Sequence, residues 1–345
     1  MRGWRVAYLA MAMLLMMTAG CKRIPLYERS TKVNLVVDLE LGLGHDIVLS
    51  YETFLSEEYQ KKIDGVAPEY YEVLVYDIHT HELESTHIVG ETGGPLSLFP
   101  GSYHLVVYSF GTESTQVKDL HDRHLAQAYT TDITDIKSGL IKSMSSKMAQ
   151  ETKSVTRAYE DDPIIVEPDH LYVANEMDVF IEAFQGKEEE ITIYTTATSI
   201  LDTYSLEVLN IKGAENIQKV EAFVTGQIMS NYFGRQERNY SPATVYVEMT
   251  PDVQNQRLYT IFNTFGKLPG EENKIFLDIT VTDSGGGQYR YVYDVTDQFD
   301  DPDNIDNQLI IDGGIIDIPK AEHGGGGFQP SVDEWEREDI DVPLG

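Results

Sequence analysis

From residue 32 onward the chain alternates. Val33, Leu35, Val37 and Leu39 fall on one face, with Lys32, Asn34, Asp38 and Glu40 opposite. A period of two predicts a half-buried strand, because successive strand side chains point to opposite faces. Residues 72–78 predict a second strand, ended by a polar turn around His79 to Glu82, and residues 84–89 return as its hairpin partner. In Leu96-Ser97-Leu98-Phe99-Pro100-Gly101-Ser102-Tyr103 the Pro-Gly pair supplies a tight turn. Tyr103 opens the strand that continues through Leu105, Val107 and Tyr108. Between residues 132 and 150 the period changes: Ile133, Ile136, Leu140, Ile141, Met144 and Met148 are spaced as one stripe of an amphipathic helix. Gly139 and a run of Ser weaken that stripe, which leaves two alternatives, a lone helix or an ordered polar excursion.

The second half is more regular. Residues 190–199, 204–211, 244–249 and 259–265 read as strands, and Val220, Ala222 and Val224 alternate with Glu221, Phe223 and Thr225. Ile275, Leu277, Ile279 and Val281 are expected to face inward, with Asp278, Thr280 and Thr282 outward. The turn Asp283-Ser284-Gly285-Gly286-Gly287 then leads to Tyr289, Tyr291, Tyr293 and Val295 and closes a hairpin. Many short strands at regular spacing predict an all-β chain built from sandwiches. Residues 151–162 are polar and patternless, so the expected layout is two β-sandwich domains in series with little helix. These occupy 31–150 and 163–320, joined by a linker at 151–162. The length of 345 residues suits two domains. Tyr outnumbers Trp 21 to 2, and with 27 Gly this leans the same way.

The two ends of the chain differ from the middle. Arg2 and Arg5 precede an uncharged, mostly apolar run at residues 7–17. That run is too short to cross a bilayer, which takes about 20 residues, and has the build of a secretory signal peptide, residues 1–20. It ends in Thr18-Ala19-Gly20-Cys21, which resembles the lipobox of bacterial lipoproteins although Thr18 stands where Leu is usual. Cys21 is the only cysteine, so a disulfide framework is excluded and the thiol is expected to be acylated. Each buried CH₂ of an acyl chain contributes roughly 0.8 kcal/mol and one chain anchors only marginally, so several chains are needed for a permanent hold. Residues 21–30 then form a lipidated tether. Lys22, rather than Asp, follows the cysteine, which by analogy directs the protein to the outer membrane. Lys22-Arg23-Ile24-Pro25 lacks the acidic cluster of surface-exported lipoproteins and leaves the membrane face open. Residues 321–345 form a Gly-rich acidic tail in which Phe328, Val332 and Trp335 follow Gly324 to Gly327. The tail is either a strand that docks through those three residues or a solvated leash.

With 26 Lys+Arg against 57 Asp+Glu the net charge is −31, which argues against nucleic acid as a partner. Candidate chemistry is sparse. His79 and His81 flank Thr80, and His121 and His124 flank Asp122 and Arg123, but neither pair has a third metal ligand in view. Asp300, Asp301, Asp303 and Asp306 have the alternating oxygens of a calcium loop, yet lack its glycine and terminal Glu and are interrupted by Pro302. Gly42 and Gly44 lack the third glycine of a dinucleotide site, and no nucleophile elbow, zinc-protease helix or phosphate loop occurs. No catalytic residues, no metal site and no cofactor are expected, and a structural protein is the reading.

Several segments carry a resemblance. The lipobox at Cys21, the turn from Leu98 to Tyr103, Tyr204-Ser-Leu-Glu-Val-Leu-Asn-Ile-Lys-Gly213, Phe262-Asn-Thr-Phe-Gly266, Tyr293-Asp-Val-Thr-Asp-Gln298 and the closing Gly-Gly-Gly-Phe-Gln-Pro-Ser-Val-Asp-Glu-Trp335 look like a family of Bacteroidetes outer-membrane lipoproteins of unknown function. That family is similar in organisation to the anchor and accessory lipoproteins of fimbrillin-type pili. The resemblance implies transthyretin-like, fimbrillin-like sandwiches and assembly by β-augmentation, in which a neighbour's strand fills an open edge or groove. It also implies fimbrial subunits as partners. Polymerising members are trimmed after a basic residue such as Arg29, whereas anchor-type members keep the lipid. The alternative is a surface glycan-binding lipoprotein of a carbohydrate-uptake system, which would use exposed aromatics.

Overall fold

The computed structural model describes residues 30–42, 46–136, 162–183 and 191–320. In chain order the first elements are β1 (Thr31–Leu39), helix α1 (Glu57–Asp64), β2 (Tyr70–Asp77), β3 (Leu83–Gly90), β4 (Gly93–Leu98) and β5 (Gly101–Ser109). The short strands β6 (Gln116–Lys118), β7 (Gln127–Tyr129) and β8 (Ile164–Val166) follow, then β9 (Tyr172–Ile181) and β10 (Ile191–Ser199). The remainder is β11 (Asp202–Leu209), β12 (Ile217–Tyr232), β13 (Glu237–Glu248), β14 (Thr250–Asp252), β15 (Arg257–Thr264), β16 (Phe276–Asp283), β17 (Gln288–Asp294), helix α2 (Thr296–Asp300) and β18 (Gln308–Asp312). The protein is all-β in character, with two short α-helices and a 3-10 turn at Ala214–Asn216 besides a helical turn at 134–136 among the described residues.

The first unit is a barrel in the order β1-β10-β9-β5-β2-β3-β4. Val33, Leu35 and Val37 of β1 point into it, as their alternation predicts, beside Tyr71, Val73 and Val75 of β2 and Tyr103, Leu105 and Val107 of β5. The intervening Leu74, Tyr76, Val106 and Tyr108 are buried as well, in a second cluster outside the barrel with Ala128, Ile228, Phe233 and Phe265. Both faces of β2 and β5 are therefore covered, which explains the near-continuous apolar runs Val73-Leu-Val-Tyr76 and Leu105-Val-Val-Tyr108. The Pro100-Gly101 turn is braced by Tyr103, whose hydroxyl donates to the Phe99 carbonyl at 3.0 Å. Gly93, with φ 97°, lets β4 approach β1 closely: a Cβ there would lie 2.0 Å from the Leu35 carbonyl oxygen. Only glycine fits that approach without strain.

The second unit is a sandwich. The sheet β14-β15-β11-β18 packs on a larger sheet whose main path is β17-β16-β12-β13-β8. Their shared core includes Leu206, Val208, Leu258 and Phe262 from one side and Val220, Val224, Val245, Leu277 and Ile279 from the other. The face of β16 expected outside is covered: Asp278 and Thr280 are buried, and Asp278 Oδ1 accepts from Arg290 Nε at 2.8 Å on the neighbouring β17. An ion pair across two strands lets a charged residue occupy what the alternation marks as a solvent face.

The layout departs from two sandwiches meeting at one linker. β9 and β10 lie beyond residues 151–162 yet belong to the first unit, where β9 pairs with β5 and β10 runs parallel to β1. The two units therefore interleave along the chain. The first closes as a barrel, but only just, because among the described residues β9 and β10 pair solely at Val173 with Thr198 and Tyr172 with Ser199. Of the stripe at 132–150 only a helical turn at 134–136 is described, and the rest lies outside the described residues, as does nearly all of 151–162.

Candidate functional site

Past their two paired residues β9 and β10 diverge. Among the described residues, β9 from Ala174 to Ile181 has a ladder partner only in β5, and β10 from Ile191 to Ala197 only in β1. The opening between them is a groove of about 400 Å³, lined by Ala174, Asn175, Glu176, Tyr194 and Thr196, with Asp38 and Gln236 at its sides. It continues into a second hollow of about 320 Å³ lined by Ser199, Asp202, Asn231, Phe233 and Arg238. Asn175, Thr198 and Gln236 line both. The β12–β13 hairpin makes this continuation possible. β12 bends at two register shifts, after Val224 and after Ile228, with Gly226 at φ 69°, and so carries the hairpin tip across to the barrel. There the Asn175 side-chain amide donates to the Phe233 carbonyl at 3.2 Å, and Arg238 Nη2 donates to Asp202 Oδ1 at 2.8 Å. Tyr194 stands 71% exposed at the rim, whereas Asn231 is only 8% exposed and its Oδ1 has no hydrogen-bond partner.

The histidines regroup. Neither sequence pair acts as a pair; instead one member of each meets a third that no spacing pointed to. The rings of His81 and His124 lie 4.3 Å apart, edge to face, and His81 stacks on His104 at 6.1 Å. His81 sits at φ 62° in the β2–β3 turn, and its carbonyl accepts from the Arg123 N–H at 2.9 Å, which draws the loop around residue 124 onto the turn. Burial, with Arg123 close by, pushes both His104 and His124 below the usual imidazole range. Nδ1 of His81 and of His104 lacks a partner. Even so, no group of three or more His, Cys, Asp or Glu among the described residues is arranged to hold a metal ion.

A buried charge cluster had no signal in the sequence. Arg257 and Glu207 are both fully buried and paired through Nη1, while Arg257 Nε donates to Asp252 Oδ2 at 3.0 Å and Nη2 to the Thr53 hydroxyl. The guanidinium lies 5.0 Å from the ring centres of both Tyr51 and Tyr259. Glu207 Oε1 in turn accepts from the Ser50 N–H at 2.7 Å. Burial would raise the Asp252 carboxyl, but hydrogen bonds from Asn255 and Arg257 hold it below the usual carboxylate range. The partners Ser50, Tyr51 and Thr53 belong to the β1–β2 connection, which also places Tyr59 of α1 against Tyr259 and Ile261. A segment of the first unit is thereby strapped across the second. The Arg257 guanidinium and the Glu207 carboxylate each have several partners, as a structural lock requires.

The remaining candidates are dispersed. Asp300, Asp301 and Asp303 are exposed and Asp306 half-buried; Asp301 Oδ1 accepts from the Asp303 N–H at 2.9 Å, and Asp300 pairs with Lys267. Gly42 has φ 86°, and Gly44 lies outside the described residues. Cys21 and the tail residues Phe328, Val332 and Trp335 also lie outside them. β17, the long edge strand of the larger sheet, pairs among the described residues only with β16, while Asp317, near the end of the described chain, forms a parallel bridge with Lys212.

Residues 60–248 match the family described as Domain of unknown function (DUF5119). A protein of Bacteroides ovatus with the provisional name fimbrium anchoring subunit Fim4B is 22% identical over 380 aligned positions that cover 100% of both chains. The crystal structure of a provisionally named adhesin, also from Bacteroides ovatus, superposes with a TM-score of 0.57 at 18% identity, covering 89% of this chain and 99% of that one. The fimbrial anchor protein Mfa2 of Porphyromonas gingivalis aligns over 78% of this chain and 83% of its own at 11% identity, with a TM-score of 0.40, too low to argue from. These likenesses are to the fold.

Proposed function

The chain belongs to the DUF5119 family, and on that premise we propose that it is a lipid-anchored outer-membrane component of a fimbrium, of the anchoring or accessory kind. Its work is structural rather than enzymatic. Cys21 holds it in the membrane, the β units are of the transthyretin-like, fimbrillin type, and neighbouring fimbrial subunits join it by strand addition. The end-to-end likeness to a protein named as a fimbrium anchoring subunit supports the class of function. The observation that carries the mechanism is the edge of β17, which among the described residues pairs only with β16. An edge strand presents a row of unpaired N–H and C=O groups, a ready template for another strand. The segment 321–345 holds Phe328, Val332 and Trp335, and burying one such aromatic contributes roughly 1.5–3 kcal/mol.

Two variants in the native host test this reading. Cys21→Ala should abolish acylation, move the protein from the detergent phase to the aqueous phase, and release fimbriae into the medium. A chain ending at residue 320 should stay in the membrane but lose co-purifying fimbrial subunits, or melt at a lower temperature if the tail docks on its own β17. Wild-type partitioning of the first variant, together with wild-type assembly and melting of the second, would overturn the proposal.

A further inference from the structure

We propose that the groove between β9 and β10, with its continuation along the β12–β13 hairpin, is a binding site for a neutral oligosaccharide. The inference goes beyond the anchoring role and does not depend on it.

Three features carry it. The first is the buried acceptor. Asn231 Oδ1 has lost water and gained no partner, although its residue is only 8% exposed and lines the inner hollow. An unmade hydrogen bond of this kind is unfavourable; the oxygen is closed to water as it stands, and a rotation of the side chain toward the hollow that its residue lines would let a ligand O–H or N–H supply the missing donor. Second, the lining has the chemistry of sugar recognition. Sugar hydroxyls each donate and accept, and planar groups such as Asn175, Gln236 and the Arg238–Asp202 pair can meet two adjacent hydroxyls at once. Tyr194, 71% exposed at the rim, offers a flat aromatic face for the C–H side of a pyranose ring. Third comes size: the two contiguous hollows of about 400 and 320 Å³ each fall within the ~300–1,000 Å³ typical of small-ligand sites.

Charge and shape decide between ligand classes. Asp38, Glu176 and Asp202 face the groove, and the one guanidinium there, Arg238, is already paired with Asp202. On a chain of net charge −31 such a site repels sialylated or uronic glycans. An extended peptide would find the unpaired edge of β9, but that edge is interrupted. Asp178 sits at φ 63°, and the register with β5 shifts between Tyr103 and Leu105. A bulge of this kind twists an edge away from further pairing. Nor does the groove offer a row of apolar sockets for alternate side chains. Polar groups dominate, and the large aromatic at the rim stands outward.

The test is calorimetric titration of the mature chain with neutral hexasaccharides of glucose, mannose, xylose and N-acetylglucosamine, with sialyllactose as the anionic control. At least one neutral probe should bind and sialyllactose should not. Tyr194→Ala, at a rim position outside any core, should weaken binding tenfold or more with the melting temperature unchanged, and Asn231→Leu should weaken it likewise. The proposal is overturned if no neutral probe binds or if binding survives both substitutions. It is equally overturned if a synthetic peptide of residues 321–345 occupies the groove, read as its loss of affinity on Tyr194→Ala, while the sugars do not.

Discussion

Two polar regions of this molecule are built on opposite principles. Under the strap, Arg257 and Glu207 are fully buried and every neighbour answers them: Asp252, Thr53 and Ser50 by hydrogen bonds, Tyr51 and Tyr259 by their rings. In the groove, Asn231 is nearly as deep and its carbonyl oxygen is unanswered. Burying a charge is costly unless geometry and partners offset it, so a saturated cluster holds the fold together. A buried acceptor without a partner costs folding free energy and calls for an explanation other than packing. Satisfaction, more than burial, separates the lock from the binding site.

The largest effect is expected from breaking the lock. Glu207→Leu leaves the Arg257 guanidinium buried with its principal counter-charge gone, which should cost about 3–5 kcal/mol in urea denaturation. The double variant Glu207→Leu with Arg257→Met removes both charges and should recover most of that loss, since apolar replacement of a whole buried pair is often close to neutral. A single-variant cost below about 1 kcal/mol would mean that the strap is held by its apolar contacts around Tyr59 alone.

The comparison also marks what could be read in advance. Period-two alternation located the strands because one or both faces of each are buried: Val33, Leu35 and Val37 face the barrel core, and the 72–78 and 84–89 segments form the expected hairpin. Alternation says nothing about partners. The 190–199 strand was legible, but its parallel pairing with β1, across more than 150 residues, was not. The groove was invisible for the same reason, since Tyr194, Asn175 and Asn231 come from three separate strands and meet only through topology. The histidines teach the point again: spacing suggested His79 with His81 and His121 with His124, and the fold joined His81, His104 and His124 across a turn, a strand and a loop. The strap had no sequence signal because its charged partners, Glu207 and Arg257, sit on strands where alternation reads them as solvent-facing.

Acid should separate the histidine cluster from the lock. His104 and His124 titrate below the ordinary value of 6.5, through burial first and then through Arg123, with His81 also raising the cost of a proton on each; Arg235 acts the same way on His124, and Asp178 and Asp122 oppose. Half-buried His170 shifts the same way, although its ring can donate to the Lys62 carbonyl. A folded-state value below the unfolded one means that, between the two, the unfolded chain binds more protons and stability rises with pH. This contribution is complete above about 6.5 and is lost as the pH falls through the lowered folded values. Asp252 lies below its ordinary 3.8, so the lock should hold until far more acidic conditions. Thermal melts at successive pH values should therefore show a first decline starting near pH 6.5 that His104→Gln diminishes and Glu207→Leu does not. A flat profile from about pH 7.5 to about 5 would show that the cluster takes up its protons without penalty.

The smallest effect is the most diagnostic. Asn231→Leu exchanges an unpartnered amide for an apolar side chain of similar size, next to Phe233 and below the Asn175 bridge. Removing an unsatisfied buried acceptor returns its desolvation cost of about 1–3 kcal/mol, while fitting a branched chain against a well-packed hairpin takes some of that back. The balance should lie within about 1 kcal/mol of zero, and on the stabilising side if the new isobutyl group packs cleanly. The sign is the point. At Glu207 the same replacement, polar to Leu at a buried strand position, is expected to cost several-fold more, because there the polar group is half of a completed pair. If urea denaturation instead gave Asn231→Leu a loss above about 2 kcal/mol, Asn231 would be a fold residue with a partner of its own, and the contrast between a satisfied lock and an unsatisfied site would fail at the residue on which it rests.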